Sequence, residues 1–469
     1  MAEPHVVVIG GGIAGLAAAV FLADGSRRVT LLEASGRFGG KLMAGEVGGV
    51  RVDLGAESML ARRPEAVELA RAVGLADELE PPTDARAAIW TRGALRPLPG
   101  GQLMGVPGDL AALAASEVLS EAGLERARHE RPTEVGQDVA IGEYVAARLG
   151  REVVDRLVEP LLGGVYAGHA DEISLRAAVP QLLPLARAGT GLVEGVHALV
   201  GAPRAADGPP VFQGLRGGLG TLPEAAAAHL RRAGAELRTD SPVDGLRRTP
   251  EGWRVATGGE VLPADAVVLA VPAPQAAALL RTDVPAAAAE LDTVEYAGMA
   301  LVTMAFHRAD TAALPYGSGF LVPPVDGRAI KASTFSSHKW GWLDRSAPDA
   351  FLLRTSLGRH REEAALDLPD EELVARSLAD LERATGLRAA PYATAVTRWR
   401  AGLPQYPVGH LERMARVREQ VAAAGRLAVC GAAYDGVGIP ACIGSARRAV
   451  NELLTPAAGA AGAEGTMRT

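Results

Sequence analysis

The N-terminal stretch of the chain alternates between two short apolar runs and one longer segment of helical periodicity. Residues 5–9 form a β-branched apolar run, and residues 28–32 form a second one. Between them, residues 16–23 carry apolar side chains at helical spacing and predict a helix. A strand, a glycine-rich turn, a helix and a second strand in about thirty residues is typical of the first unit of a parallel α/β sheet.

The rest of the chain continues this mixture of strands and helices. From residue 297 onwards short strands dominate and predict a broad sheet. Near the C-terminus, the apolar run 427–430 predicts a buried strand that leads through a glycine loop into a helix at about 441–454. The run 159–168 holds one proline and three glycines, and we expect turns there rather than a helix.

Length and composition narrow the class of protein. At ~150 residues per domain, 469 residues predict two or three domains or one large interleaved fold. The net charge of −7 excludes nucleic-acid binding through a general basic face, and 4% aromatic residues argue against a base-stacking platform. Two cysteines exclude a disulfide scaffold and a multi-cysteine metal site. The histidines have no metal-ligand spacing, so we expect no metal.

No targeting signal is expected from the first residues. They lack a basic segment, and their apolar run is interrupted by Gly10 to Gly12. No stretch approaches the ~18 uninterrupted apolar residues of a membrane-spanning helix. The sequence therefore predicts a cytoplasmic protein without a transmembrane segment.

The glycines that follow the first strand have the spacing of a dinucleotide-binding turn. Gly10 is placed for the tight turn, Gly12 lets a pyrophosphate approach the backbone, and Gly15 lets the helix pack on the sheet. The helix N-terminus adds unpaired N–H groups and the positive end of its dipole. Glu33, at the end of the second strand, is placed to accept the hydroxyl groups of an adenosine ribose, which disfavours NADP.

The run after the second strand is longer than a plain NAD fingerprint requires. Residues 33–41 read EASGRFGGK, in which Arg37 is placed over phosphate while Gly39 and Gly40 let the backbone pass close to a cofactor. This run resembles the second dinucleotide-binding segment of the flavin amine oxidase superfamily, where the extended pattern marks FAD. The resemblance therefore implies FAD as the cofactor.

Further runs carry a closer resemblance and together span residues 6–454. They are GGGIAGLAAA, EASGRFGGK, DLGAES, EPLLGGVYAG, GSGFLVP, TFSSHKW, WRAGLPQYPVGH and GAAYDGVGIPACI. The first two runs occur across the superfamily, whereas EPLLGGVYAG, PQYPVGH and YDGVGIP are more specific. On these runs the chain resembles the protoporphyrinogen/coproporphyrinogen oxidase family, and above all its Gram-positive branch.

The resemblance implies a fold of mixed α/β and α+β class with three parts. An FAD-binding Rossmann-like domain is assembled from separated segments, a mixed-sheet domain binds substrate, and a helical cap covers it. The expected ranges are 1–85, 211–285 and 425–455 for the FAD domain, 86–106, 175–200 and 286–424 for the substrate domain, and 107–174 for the cap. The tail 456–469 is predicted to be disordered from its composition.

The resemblance also implies which residues contact FAD. They lie in the glycine turns, at strand ends and at the start of the last helix, and they are Gly10, Gly11, Gly12, Ile13, Ala14, Gly15, Glu33, Ala34, Arg37, Gly40, Lys41, Gly55, Ala56, Glu57, Ser58, Val243, Trp399, Val437, Gly438 and Ile439. The N–H groups at 436–439 are placed to hold the N1–C2=O edge of the flavin, where negative charge collects on reduction.

The activity that the resemblance implies is the oxidation of a porphyrinogen to a porphyrin in heme biosynthesis. The expected reaction converts coproporphyrinogen III to coproporphyrin III, with oxygen as acceptor and hydrogen peroxide as second product. Three alternatives stay open: oxidation of protoporphyrinogen IX, a superfamily oxidase or desaturase acting on amines or carotenoids, and a flavin protein that delivers a porphyrin without catalysis. A ferrochelatase of the same pathway is a further expected partner.

No catalytic side chain is expected beyond the flavin itself, because the cofactor carries the redox chemistry. The protein must bind and orient the substrate, and cationic side chains are the expected partners of its propionates. The candidates are Arg62, Arg63, Arg176, Lys331, His338 and Lys339.

Overall fold

The computed structural model describes residues 3–201 and 210–455, so the tail 456–469, predicted to be disordered, lies outside the described residues. The strands are β1 (His5–Ile9), β2 (Arg28–Leu32), β3 (Ala44–Val47), β4 (Val50–Asp53), β5 (Met59–Leu60), β6 (Leu79–Glu80), β7 (Ala87–Thr91), β8 (Ala94–Pro97), β9 (Gln102–Leu103), β10 (Val106–Pro107), β11 (Phe212–Leu215), β12 (Glu236–Arg238), β13 (Val243–Thr249), β14 (Gly252–Thr257), β15 (Glu260–Ala264), β16 (Ala266–Leu269), β17 (Tyr296–His307), β18 (Gly319–Leu321), β19 (Ile330–Thr334), β20 (Ala350–Leu357), β21 (Ala393–Pro404) and β22 (Leu427–Val429).

The α-helices of the same ranges are α1 (Ile13–Leu22), α2 (Glu65–Ala72), α3 (Leu110–Ser116), α4 (Glu121–Arg128), α5 (Ile141–Leu149), α6 (Arg151–Val153), α7 (Glu159–Tyr166), α8 (Leu175–Ala178), α9 (Leu182–Ala188), α10 (Leu192–Val200), α11 (Thr221–Arg232), α12 (Ala273–Leu280), α13 (Pro285–Asp292), α14 (Ser336–Lys339), α15 (Gly341–Ser346), α16 (Asp370–Thr385), α17 (His410–Ala423), α18 (Ala432–Asp435) and α19 (Ile439–Leu454). None of the helices in the described ranges has both the length and the apolar character needed to cross a membrane.

A five-stranded parallel sheet joins the two ends of the chain. Its strand order is β12-β2-β1-β16-β22, and every neighbouring pair runs parallel. All residues of β1 are buried, as expected for a parallel strand covered on both faces. Leu16 of α1, Leu222 of α11 and Ile443 of α19 pack in one apolar cluster with this sheet. The predicted strand, glycine turn and helix are thus present at both ends of the chain.

A seven-stranded mixed sheet, of order β21-β17-β20-β19-β18-β7-β8, forms the second layer. The pair β18 and β7 is parallel, and the other neighbours are antiparallel. One face is apolar and packs against α16, with Leu373 and Leu381 against Phe306 and Leu353. The mixed α/β and α+β fold class expected from the sequence is confirmed.

Helices α3 to α10 pack around one shared apolar cluster. Tyr144 of α5, Leu162 of α7 and Leu182 of α9 all lie in it. Residues 175–200, which we placed with the substrate domain, therefore bury their apolar side chains together with the segment expected to form a cap. The division of the chain into three domains stays a prediction.

The expectation of turns in the run 159–168 is wrong, because residues 159–166 form helix α7. A π-helical turn over residues 154–158 directly precedes it. This wider turn leaves room for the ring of Pro160, which would otherwise press on the carbonyl one turn earlier. Leu162 and Tyr166 are buried, and their burial offsets the weak helix propensity of the two glycines between them.

A buried carboxylate ties the start of α7 to the loop that follows this helix. Glu159 accepts a hydrogen bond from the Ala170 N–H (2.7 Å) and lies 3.3 Å from Nδ1 of His169. Nε2 of His169 lies 2.9 Å from the carbonyl of His360, beyond the end of β20. The Glu159 carboxylate, together with the His360 carbonyl, raises the pKa of His169 to about 9.

The pH dependence of stability tests this arrangement. Because folding raises the His169 pKa from 6.5 to about 9, its stabilisation is complete below pH 6.5 and is lost as pH rises through 9. We expect Glu159→Gln to remove about 1–2 kcal/mol of this pH-dependent stability. Thermal melting of the holoprotein between pH 6 and 9.5 checks it. An unchanged slope of Tm against pH in the variant would contradict the assignment.

Candidate functional site

The turn between β1 and α1 combines tight packing with an open position. A Cβ on Gly15 would lie 1.8 Å from the carbonyl oxygen of Gly10, so only glycine fits there. Gly12, in contrast, faces space with no heavy atom within 4 Å of a Cβ, and it begins α1 without a side-chain cap. The free N–H groups of α1 therefore face an open space suited to a phosphate.

The carboxylate at the end of β2 is held in a fixed orientation. Glu33 accepts hydrogen bonds from the Gly11 N–H (2.7 Å) and the Ser35 N–H (2.8 Å). Its carbonyl accepts from the Ser241 N–H (2.9 Å), which brings Val243 at the start of β13 to the same end of the sheet. This geometry suits an acid that receives ribose hydroxyls.

The loop after Glu33 lies against the glycine turn. The Gly39 N–H donates to the Gly11 carbonyl (2.8 Å), and a Cβ on Gly40 would lie 3.2 Å from Cα of Gly12. Arg37, which we expected over phosphate, donates to the Gly40 carbonyl of its own loop (2.6 Å). It therefore shapes the loop as well as adding positive charge.

Lys41 and the segment 55–58 continue the cleft towards the second sheet. A Cβ on Gly55 would lie 2.0 Å from the Lys41 carbonyl, so these two backbones touch. Trp399 of β21 closes the contact, donating from Nε1 to the Leu54 carbonyl (3.3 Å). Lys41 has no ion pair among the described residues, and burial lowers its pKa.

The N-terminus of α19 forms the other side of the cleft. This helix begins after Gly438 with no side-chain cap, and Gly438 is exposed. Tyr406 donates its hydroxyl to the carbonyl of Ala432 in the short helix α18, which precedes α19. Two uncapped helix N-termini, those of α1 and α19, therefore follow strands of one parallel sheet. The donor set fits a dinucleotide with its phosphates at α1 and a flavin ring at α19.

Lys339 and Glu57, predicted to contact substrate and FAD respectively, form an ion pair with each other, and both predicted contacts stay predictions. Nζ of Lys339 lies 2.7 Å from Oε1 of Glu57, and Nε of Arg354 lies 3.3 Å from its Oε2. Despite burial, the two cations lower the pKa of Glu57 to about 2. The cluster keeps a net charge of +1.

Sequence reasoning missed Arg354, a charged residue in the apolar strand β20. Its guanidinium also donates to the Gly55 carbonyl (2.7 Å), so it links the second sheet to the cofactor cleft. The signal was a lone arginine inside an apolar run, AFLLRTSL, which is uncommon unless the charge has partners.

The other predicted substrate cations are dispersed. Arg63 pairs with Glu65 (2.5 Å), and Arg62 beside it is exposed. Arg176 of α8 pairs with Glu412 of α17.

Two further candidates lie on or beside β19. Nδ1 of His338 is 3.2 Å from the carbonyl oxygen of Gly317, and Lys331 is buried. The contacts of all these candidates with substrate stay predictions.

The sheet face that carries Arg354 is turned towards α7, and we call it the floor of the substrate cavity expected from the sequence. Cross-strand pairs place Leu301, Ser356, Ala332 and Leu321 in one row on this face, since directly paired side chains point the same way. A Cβ on Gly164 of α7 would lie 3.8 Å from the side chain of Leu321, so α7 lies over this row. The floor is therefore mostly apolar, with a cation at one end.

The fold and this site together define an FAD-dependent oxidoreductase built on a parallel sheet and a mixed sheet. In the ranges 3–201 and 210–455, no group of three or more His, Cys, Asp or Glu side chains is placed to hold a metal ion. Residues 13–454 match the family described as flavin containing amine oxidoreductase. The chain belongs to this family, and within it to the group of the protoporphyrinogen and coproporphyrinogen oxidases.

Relatives of known name support this placement over nearly the whole chain. The coproporphyrinogen III oxidase of Mycobacterium tuberculosis is 38% identical over 95% of this chain and 96% of its own length. That of Bacillus subtilis is 32% identical over 97% and 98%. A crystal structure from Exiguobacterium, named as that of a proposed protoporphyrinogen oxidase, superposes on this chain with a TM-score of 0.86. The two sequences are 34% identical, and the superposition covers 97% of this chain and 100% of that chain.

Substitution of Gly12 tests the open position at α1. We expect Gly12→Val to fold, because no atom lies within 4 Å of the new Cβ, and to lose at least tenfold in FAD affinity by filling the phosphate position. The ratio of flavin to protein absorbance after purification and reconstitution measures the effect. Gly136→Val, at an exposed and equally open glycine, is the matched control and should keep its flavin. Full flavin content in Gly12→Val would contradict the assignment.

Proposed function

We propose that this protein oxidises coproporphyrinogen III to coproporphyrin III, with oxygen as acceptor and hydrogen peroxide as second product, in heme biosynthesis. The observation that carries the proposal is the similarity to coproporphyrinogen III oxidases, which extends over 95% or more of the chain. An enzyme that inserts iron into the product, a ferrochelatase, is the expected partner.

We infer that the sheet face under α7 receives the substrate, because it suits a flat, largely apolar macrocycle that carries carboxylates. This floor is the row of Leu301, Ser356, Ala332 and Leu321, and Arg354 adds a positive charge towards the cofactor cleft. Apolar side chains bury the ring, and a cation at the rim fixes its orientation. A small amine is a less suitable substrate, because recognition of an ammonium group calls for a cage of aromatic rings and only 4% of the residues are aromatic.

The proposed FAD contacts use the glycine turns and the two uncapped helix N-termini. We propose that Glu33 holds the ribose, that the N–H groups from Gly11 to Gly15 hold the pyrophosphate, and that residues 437–439 face the flavin ring. Bound FAD supplies the two-electron acceptor of the reaction. The N-terminus of α19 stabilises negative charge at the ring edge that it faces.

The chain's own task is to position the substrate rather than to exchange protons with it. Conversion of a porphyrinogen to a porphyrin removes six hydrogens, so three molecules of oxygen become three of hydrogen peroxide. The four bridging carbons lose four of these hydrogens and the pyrrole nitrogens lose two, and a proton leaves an oxidised, cationic ring without a strong base. Arg354 donates to the Gly55 carbonyl and thereby holds the second sheet against the cofactor cleft.

Protoporphyrinogen IX is the second candidate substrate. The protoporphyrinogen oxidase of Bos taurus is 30% identical over 96% of this chain and 98% of its own length. The two porphyrinogens share the ring and differ in the number of carboxylates, so side-chain recognition decides between them.

A comparison of initial rates tests the proposal. The purified holoprotein is mixed with coproporphyrinogen III or protoporphyrinogen IX, and porphyrin fluorescence and peroxide are followed together. We expect faster oxidation of coproporphyrinogen III, by at least tenfold in kcat/KM, and one peroxide for each electron pair. The flavin-free protein controls for spontaneous oxidation in air. Porphyrin binding without peroxide formation would instead identify a carrier, and equal or faster oxidation of protoporphyrinogen IX would overturn the substrate assignment.

A further inference from the structure

Lysine is rare in this chain, and none of its lysines is exposed. Of 48 Lys and Arg residues, only Lys41, Lys331 and Lys339 are lysines. Lys41 lies in the cofactor cleft, and Lys339 is paired with Glu57. Lys331 lies outside the cofactor cleft and has no ion pair among the described residues.

Lys331 is buried without a partner. Its side chain is 6% exposed, and it has no hydrogen bond or ion pair with any described residue. It lies on β19 between Ile330 and Ala332, where the pairing with β20 shifts by one residue. Such a bulge redirects a side chain and is common beside binding sites.

A second buried cation, Arg359, lies next to Lys331. Both residues bond to Val322, whose N–H donates to the Lys331 carbonyl (2.9 Å) and whose carbonyl accepts from Arg359 (3.2 Å). Arg359 is 7% exposed, and it pairs at 3.8 Å with Glu362, whose side chain is largely exposed; the buried carboxylate of Glu159, already engaged by His169, also favours its charged form. Burial, with the added repulsion from Arg359, lowers the pKa of Lys331 to about 7.

A buried lysine without a counter-ion, beside a buried arginine, is unfavourable in the protein alone. Burying an unpaired ammonium group is costly, which is why buried charges are normally paired. An anion bound between the two groups would remove this cost. The two side chains therefore have the arrangement of an ion-pair site to which a ligand supplies the carboxylate.

The pair lies at the far end of the cavity floor from Arg354. Ala332, the next residue after Lys331, belongs to the floor row, and Thr334 is paired directly with Arg354. Three residues along a strand span roughly 10 Å. His360, which follows Arg359, donates its N–H to the Ala167 carbonyl (2.7 Å) at the end of α7. Cations thus mark both ends of a floor whose span is comparable with the width of a tetrapyrrole.

We propose that Lys331 and Arg359 form an anion subsite that receives one propionate of the porphyrinogen at the cavity end opposite Arg354. The proposal rests on the proposed function and assigns part of its specificity. Coproporphyrinogen III carries four propionates, whereas protoporphyrinogen IX has vinyl groups in two of those places. A subsite of two buried cations favours the tetracarboxylate, because a vinyl group would leave both charges unpaired.

The variant Lys331→Met separates this role from a merely structural one. It keeps the length of the side chain and removes its charge. We expect KM for coproporphyrinogen III to rise about ten- to a hundredfold, as for the loss of one charge-assisted hydrogen bond. We expect the KM for protoporphyrinogen IX to change much less. Tm without substrate should rise by a few degrees, because an unpaired buried charge is removed.

Two further variants serve as controls. Arg388→Met removes the same charge from an arginine whose side chain is 83% exposed and should change neither KM nor Tm appreciably. Lys339→Met breaks a buried ion pair and should lower Tm, in contrast to Lys331→Met. A lower Tm in Lys331→Met with an unchanged ratio of the two KM values would overturn the subsite.

Binding of the product distinguishes failure of the subsite from failure of the proposed function. Quenching of porphyrin fluorescence gives the Kd of coproporphyrin III for the wild-type and Lys331→Met holoproteins, whether or not either oxidises a porphyrinogen. A Kd raised tenfold or more in the variant supports the subsite, and an equal Kd overturns it. A wild-type protein that binds coproporphyrin III but produces no peroxide would overturn the proposed function and leave the subsite standing.

Discussion

The parallel sheet constrains the rest of the molecule, because parallel neighbours cannot be joined by a tight turn. β1 and β2 come from the first residues, β12 and β16 from the middle of the chain, and β22 from its last part. The long segments between them have to fold elsewhere. They build the second sheet, which takes β7 and β8 from one crossover and β17 to β21 from another. The two layers are therefore interlocked by the chain path, and the cleft between them is fixed by backbone connections.

This connectivity explains why charge is concentrated at the junction of the two layers. The segment after β4 must pass close to the second sheet, and Glu57 enters that junction with its carboxylate buried. Lys339 and Arg354 satisfy it, and Arg354 also binds the Gly55 carbonyl. A carboxylate buried with a single cation would leave a neutral junction. With two cations the junction keeps a positive charge, which faces the space where an anionic substrate is expected.

Local features of the fold were predictable from the sequence, and features set by distant contacts were not. The β1–α1–β2 unit and α19 depend on glycine spacing and apolar runs within some thirty residues, so the pattern alone identified them. Helix α7 was missed because its stability comes from burial of Leu162 and Tyr166 and from a π turn upstream. Neither has a local signal in a run rich in glycine.

The same distinction holds for the candidate site. The cofactor cleft follows from glycine turns and from Glu33, which are local motifs. The partners of the cations are not local: Arg176 meets Glu412, which lies 236 residues further along the chain, and Lys339 meets Glu57 across 282 residues. Arg354 and Arg359 took on meaning only once the strand register was known. Sequence reasoning identified the cofactor but could not decide which cations remain available to a substrate.

The scarcity of lysine has a practical consequence for work with this protein. Primary amines are normally spread over a protein surface, and reagents that acylate or cross-link them report on the outside of the molecule. Here the side-chain amines lie at the cofactor cleft, in the layer junction and buried on β19, while arginines supply the positive charge of the exterior. Amine-directed labelling or immobilisation would therefore act on the working interior of the protein and leave its outer face almost untouched.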